Sequence, residues 1–201
     1  RIKNNLQTVA SLLRLQARRV DSEQTKKALH DSISRILSIA VVHEVLSKEG
    51  MEVVDVCSVL TQTVDMISHN MVDHSRHIKI NLTCDAFTLF SRQVTSLVLI
   101  VNELVHNALE HAFVNRDRGI INVEVKQRGN EVSIVVADNG VGLREKDLNK
   151  SKSLGLSIIR TLVEEDLKGI INIIEDNGTK VEVKFPFFMV EEVAYADYGS
   201  G

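Results

Sequence analysis

Residues 101–113 read VNELVHNALEHAF, the end of an apolar run that begins near Val94. Leu97, Ile100, Val101, Leu104, Val105, Ala108 and Ala112 recur at helical spacing, which predicts a helix of roughly Arg92 to Phe113 with one face in a core. Glu103, Asn107 and His111 stand at i, i+4 and i+8 and line one polar edge of that helix. A carboxylate, an amide and an imidazole in a row suit a hydrated magnesium ion and phosphate oxygens, because Mg²⁺ takes oxygen ligands and keeps several waters. The same pattern also describes a plain solvated helix face, so it needs support from the rest of the chain. His106 is turned by about 100° from Asn107 and is read as structural.

Downstream, Asn115 to Gly119 is a polar turn. Ile121, Val123 and Val125 alternate as a strand does, and so do Val132, Ile134 and Val136, with the hairpin signal Arg128-Gly129-Asn130 between them. Asp138-Asn139-Gly140-Val141-Gly142-Leu143 follows the second strand directly. An Asp at a strand end with two glycines behind it permits a tight turn and close backbone approach to a ligand, although DNG alone is commonly just a turn. Leu143 to Lys152 is charged and patternless, and is read as a mobile loop. Ser153-Leu154-Gly155-Leu156 then opens a helix that runs to Leu167; a glycine there lets phosphate reach backbone N–H groups at the positive end of the helix dipole. Strands at 171–174 and 180–185 turn at Asp176-Asn177-Gly178, and Thr179 starts the last strand. Upstream, Asp55 can cap a helix of about Val56 to Met71, and Ile78, Ile80 and Leu82 alternate. Helices on one face of a mixed, mostly antiparallel sheet make an α+β sandwich.

The first fifty residues differ. Ile2, Leu6, Val9, Leu13 and Gln16 form a heptad-like seam widened by Leu12 and Leu15, and Leu29, Ile33, Ile36, Ala40 and His43 form another. A turn at 20–23, capped by Asp21 or Ser22, joins them into an antiparallel helical hairpin that stops near Gly50. Two helices cannot bury two wide apolar faces alone, so pairing with a second copy into a dimeric four-helix bundle is expected.

The chain has 201 residues, 44% hydrophobic, 25% charged, with a net charge of -3 and one proline. This is the composition of a globular protein with a real core, and no basic surface points to nucleic acid or membrane. No apolar stretch reaches the ~18 residues of a membrane span, and the polar start RIKNNLQ is not a signal peptide. Cys57 and Cys84 fit no metal spacing and are read as separate buried thiols of a reducing, cytoplasmic setting. His69, His74 and His77 fit no zinc signature. His43 is read as a hydrogen-bonded bundle residue, and His30-Asp31 as a weak mimic of a phosphoacceptor pair. The chain begins within a helical pattern and is taken as a fragment of something longer.

Taken together and in this order, NELVHNALEHAF, DNGVGL, SLGLSIIRTLV and NGTKVEVKFP resemble the N box, the two glycine boxes and the final strand of the GHKL (Bergerat) ATP-binding fold, over about residues 51–187. RIKNNLQTVASLLRLQARR and SIAVVHEVL resemble the phosphoacceptor hairpin of one sensor histidine kinase subfamily, whose motif reads His-Arg-x-Lys-Asn-Asn-Leu-Gln. The resemblance implies three parts: a dimerisation and histidine-phosphotransfer hairpin at 1–50, an ATP-binding domain at 51–188, and a tail at 189–201. It implies ATP and Mg²⁺ as cofactors. By the same resemblance Asn107 would ligate the metal, Glu103 would orient the attacking imidazole, and Asp138 would accept from the adenine amino group, with Thr179 in support. Gly140, Gly142 and Leu143 make room for base and lid, the lid being 143–152. Ser153, Leu154, Gly155 and Leu156 line the phosphate end, and His111 adds a contact there. Asn4, one turn after the position of the acceptor His, is implied to orient water for dephosphorylation, or else is an exposed helix asparagine.

Implied partners are a second copy, a response-regulator receiver domain that the basic first helix suits, and an upstream sensor domain. Direct nucleic-acid and membrane contacts are not expected. Two departures stand out. The acceptor His falls just before Arg1, outside this chain, and Glu110 stands where the family usually has Lys and is expected to face solvent. The rival readings are an anti-sigma-type serine kinase and a nucleotide-binding dimerisation module without kinase activity. A topoisomerase or chaperone fits poorly, since the lid is short and there is no room for further domains.

Overall fold

A computed structural model describes residues 2–49, 53–71, 76–142 and 154–187. Gly50, His74, the loop with Leu143 and Ser153, and the 189–201 tail lie outside the described residues. The helical hairpin consists of α1 (Ile2–Ala17) and α2 (Glu23–Glu49). Of the two candidate caps, Ser22 is the one used, its Oγ accepting the Thr25 N–H at 3.3 Å. The α1 stripe that meets α2 contains Ala10 and Ala17, 1% and 3% exposed, rather than the expected Val9 and Gln16. Alanines allow the closer helix approach, and Lys3 and Glu44 tie the pair across the hairpin at 2.6 Å. Val9, Leu12 and Leu15 form a second stripe, 44%, 57% and 52% exposed.

After the hairpin come β1 (Val53–Asp55), α3 (Val56–Met71), β2 (His77–Cys84), β3 (Thr88–Phe90) and α4 (Ser91–His111). Then follow β4 (Arg118–Arg128), β5 (Glu131–Asp138), α5 (Leu154–Thr161), β6 (Ile170–Glu175) and β7 (Thr179–Pro186). Asp55 caps α3 as expected, accepting the Ser58 N–H at 3.1 Å. The three-residue strands β1 and β3 pair with each other and are too short to leave a periodic signal. Past Thr161 the helix loosens into a π turn, with the Leu167 N–H bonding the Leu162 carbonyl at 3.0 Å.

The main sheet runs β2-β4-β5-β7-β6, with β2 parallel to β4 and the other pairs antiparallel. The mixed, mostly antiparallel sheet expected from sequence is therefore present. Alternation puts Ile121, Val123, Val125, Val132, Ile134, Val136, Val181, Val183 and Phe185 on one face, all buried. The apolar stripe of α4 packs on that face within one continuous core.

The other side of α4 is covered as well. α2 lies along it with Ile33, Ser34, Ser38 and Val42 buried. Asn102 Oδ1 accepts from Ser34 Oγ at 2.9 Å and stands 3.1 Å from Ser38 Oγ. The hairpin thus buries part of its apolar face against its own chain, an arrangement that a heptad pattern does not specify.

The cysteines are not separate thiols: Cys57 on α3 and Cys84 on β2 are joined by a disulfide, their Cα atoms 5.7 Å apart. The start of α3 packs beside the end of β2, a proximity that their 27-residue separation hides. Closing a loop of that length stabilises by about 3.5 kcal/mol in the chain-entropy account. Dithiothreitol is therefore expected to lower the melting temperature of oxidised protein by several degrees, with no effect on a Cys57→Ser/Cys84→Ser variant. No helix among the described residues is long and apolar enough to cross a membrane.

Candidate functional site

Two clusters flank the C-terminal half of α4. The first gathers at the end of β5. Asp138 Oδ1 accepts the N–H groups of Gly140 at 2.9 Å and Thr179 at 3.2 Å, so one carboxylate oxygen fastens the Asp-Asn-Gly turn to the start of β7. That leaves Oδ2 to accept from a ligand. Gly178 has φ +143°, and a Cβ there would lie 2.0 Å from the Asp138 carbonyl, so only glycine fits. At Gly140 a Cβ would lie 2.2 Å from the Ala112 carbonyl, which also accepts the Val141 N–H at 2.9 Å. The turn is pressed against the end of α4, and Thr179 is 7% exposed.

The second cluster holds Glu103, Asn107 and the first turn of α5. A Cβ on Gly155 would stand 2.8 Å from Glu103 Oε2, 3.7 Å from Asn107 Oδ1 and 3.9 Å from Arg35 Nη2. A side chain here would have to displace the Glu103 carboxylate that Arg35 holds, so glycine eases the start of α5, with its N-terminal N–H groups beside the polar edge of α4. Asn107 is half-buried and Gly155 buried; Leu156 is half-buried, and Leu154 begins the helix. The oxygen donors of Asn107 and Glu103, next to a helix N-terminus, match the preference of a hydrated Mg²⁺ with phosphate oxygens.

Glu103 is not the solvated residue that a helix edge suggests; it is 2% exposed. Arg35 of α2 grips it with two parallel bonds, Nε to Oε1 and Nη2 to Oε2, both 2.7 Å. The carboxylate and burial act oppositely on the guanidinium, and the bond to Glu103 prevails, raising its pKa above the ordinary value. Removing one partner of such a pair leaves a buried uncompensated charge, at a cost of about 3–5 kcal/mol.

Glu110 was expected to face solvent. Its side chain is 25% exposed and turns toward α2 instead, pairing with Lys27 at 2.9 Å. His106 lies between Asp31 at 3.5 Å and Glu110 at 3.9 Å, in keeping with a structural part. Asp31, His106 and Glu110 bring donor atoms within 4.8 Å of one another, a grouping across two helices that sequence spacing does not reveal. Burial raises the pKa of Asp31 above 3.8, and Glu110 adds to this, while His106, Arg35 and Lys27 oppose. A raised folded-state pKa favours the fold below the unfolded value and loses that contribution as pH rises through the folded value. Asp31→Asn is accordingly expected to melt above wild type at pH 7, and the gap should close below pH 3.8.

His111 is 55% exposed and its Nε2 lies 3.5 Å from Glu110 Oε2, away from the Gly155 cluster's contacts. Gly142 is half-buried with φ +76°. Asn4 is exposed on α1. His43 is half-buried, and His30 is exposed. Arg35 and Ser34 belong to none of the sequence motifs, and Ser38 only opens SIAVVHEVL. A signal was available: three polar residues interrupt the apolar seam of α2 and so need polar partners.

Residues 1–71 match the family described as Histidine kinase, and residues 92–188 the family described as Histidine kinase-, DNA gyrase B-, and HSP90-like ATPase. The chain is 40% identical over 190 residues to Sensor histidine kinase PdtaS of Mycobacterium tuberculosis, an alignment covering 92% of this chain and 38% of the relative. It is 26% identical over 195 residues to Blue-light-activated histidine kinase 2 of Erythrobacter litoralis, covering 92% of this chain and 55% of the relative. The chain thus spans well under two thirds of these relatives. A solved histidine kinase domain from the Erythrobacter litoralis EL346 blue-light activated histidine kinase superposes with a TM-score of 0.73 at 20% identity, covering 92% of this chain and 94% of that one. At that identity the likeness concerns the fold.

Proposed function

This chain belongs to the histidine kinase family, and from that premise we propose that it is the kinase core of a two-component sensor. Residues 1–50 serve as dimerisation and phosphotransfer hairpin, 51–188 as ATP-binding domain and 189–201 as tail. The reaction moves the γ-phosphoryl group of Mg-ATP to a histidine imidazole just upstream of Arg1, and then to an aspartate of a receiver domain. The meeting of Glu103, Asn107 and the first turn of α5 at one point carries this reading. The Asp138 cluster, set off from it, suits the adenine amino group.

In this assignment Asn107 would hold Mg²⁺, which would supply neutralisation of phosphate charge. The N-terminal N–H groups of α5, with Leu154, Gly155 and Leu156, would hold phosphate oxygens, and Leu143, Ser153 and His111 are added to the nucleotide contacts on family grounds alone. Asp138 fixes the base with Thr179 behind it, Gly140 lets the turn pack against the end of α4, and Gly142 is assigned to the base and lid on family grounds. Glu103 orients the imidazole once it is released from Arg35. Phosphoryl transfer needs chiefly positioning and charge neutralisation, which these groups supply. The exposed Val9, Leu12 and Leu15 stripe supports a second copy against α1. Lys3, Arg14, Arg18 and Arg19 suit an acidic receiver domain. We assign Asn4 to dephosphorylation and place the core in the cytoplasm, on family grounds.

The test uses the chain extended upstream with its natural residues and γ-labelled Mg-ATP. Protein-bound label that an added receiver domain then acquires supports the reading. ATP bound with no label transferred would leave the non-catalytic dimerisation module.

A further inference from the structure

Glu110, one turn beyond Asn107 on α4, is engaged by Lys27 on the side toward α2. The phosphate end assigned above would then lack a cationic side chain from α4 itself, apart from the exposed His111. Yet Arg35, from a different helix and 68 residues away in sequence, brings its guanidinium to this very point. Its Nη2 is among the three atoms nearest a Cβ placed on Gly155, together with Glu103 Oε2 and Asn107 Oδ1.

We propose that Arg35 is a γ-phosphate clamp that exchanges the Glu103 carboxylate for the terminal phosphate of ATP, and so makes the site select a triphosphate over a diphosphate. This rests on the nucleotide reading of the site and names a specificity residue for it. The chemistry is matched on both sides. A guanidinium presents parallel N–H donors, and carboxylate and phosphate oxygens accept them in the same bidentate geometry. The two acceptors compete for one fork. While Arg35 holds Glu103, each carboxylate oxygen accepts a guanidinium N–H, so the carboxylate is turned to the fork rather than to an incoming imidazole. When the fork turns to a γ-phosphate, Glu103 is freed at the moment that the transferable group arrives. ADP, lacking that phosphate, leaves the pair closed. The exchange is short, since Arg35 and Asn107 already flank the start of α5. It couples α2 to nucleotide state through one side chain, with the surrounding Ser34, Ser38 and Asn102 bonds left in place.

The experiment measures the dissociation constants of Mg-ATP and Mg-ADP by calorimetry. It compares wild type with Glu103→Gln, Arg35→Lys and the double variant Arg35→Gln/Glu103→Gln. The double variant leaves no lone buried charge and so keeps the fold, which a melting curve checks. Glu103→Gln releases the fork and is expected to raise the preference for ATP over ADP about five- to tenfold. The double variant should abolish that preference, its dissociation constants for Mg-ATP and Mg-ADP becoming equal. Arg35→Lys should retain only part of it, because an ammonium is a point charge. Equal shifts for ATP and ADP in all variants would overturn the clamp and leave Arg35 as a structural fastener. Failure of wild type to bind either nucleotide would overturn the underlying site reading along with it, a distinguishable pattern.

Discussion

Asp138→Asn is expected to weaken ATP and ADP binding alike by about 30- to 150-fold, with little loss of stability. The amide keeps an acceptor oxygen for the Gly140 and Thr179 N–H groups, which the aspartate now bonds at 2.9 and 3.2 Å. Its NH₂ then faces the adenine amino group, a donor against a donor. Losing a bond to a charged acceptor and burying an unsatisfied donor is worth about 2–3 kcal/mol. Rotating the amide would rescue the base contact only by opposing two backbone donors instead. Titration with a fluorescent ATP analogue reads the effect directly, and an unchanged affinity would remove Asp138 from the base site.

The second large effect concerns chemistry rather than base binding. Asn107→Ala is expected to lower phosphoryl transfer by about 100- to 1000-fold, the range seen when one preorganised electrostatic group is removed from an active site. Asn107 is half-buried beside Gly155, so the truncation leaves room for water and should cost the fold little. The loss should be carried by the rate at saturating Mg-ATP, with the base contacts at Asp138 untouched. A variant that transfers phosphate at the wild-type rate would show that the metal is held elsewhere.

How much of this was legible beforehand differs from element to element. The sheet strands alternate so regularly that β4, β5 and β7 fall where Ile121, Val132 and Val181 place them. The polar edge of α4 and the turn at Asp138 were visible as residue types at fixed spacing. The docking of α2 on α4 was not. Periodicity tells which residues seek burial but not what covers them, and α2 places Ser34, Arg35 and Ser38 among its apolar residues. Their partners, Asn102 and Glu103, lie 64 to 68 residues away. For the same reason the Arg35 partner of Glu103 stayed hidden, Glu110 looked free, and the two cysteines looked independent. Each of these readings treated α4 or α3 as an isolated surface, whereas contacts from distant chain segments decide its electrostatics. The short strands β1 and β3 and the π turn carry too few residues for any pattern.

The central claim is that this core delivers the γ-phosphoryl group of ATP to a histidine. The measurement that tests it most directly is the chemical stability of the protein-bound label, in the chain extended upstream and incubated with γ-labelled Mg-ATP. A phosphohistidine predicts label that is lost in acid, survives alkali and disappears when the residue before Arg1 is replaced. Acid-stable label on a serine of a partner protein would contradict the account and establish the serine-kinase alternative.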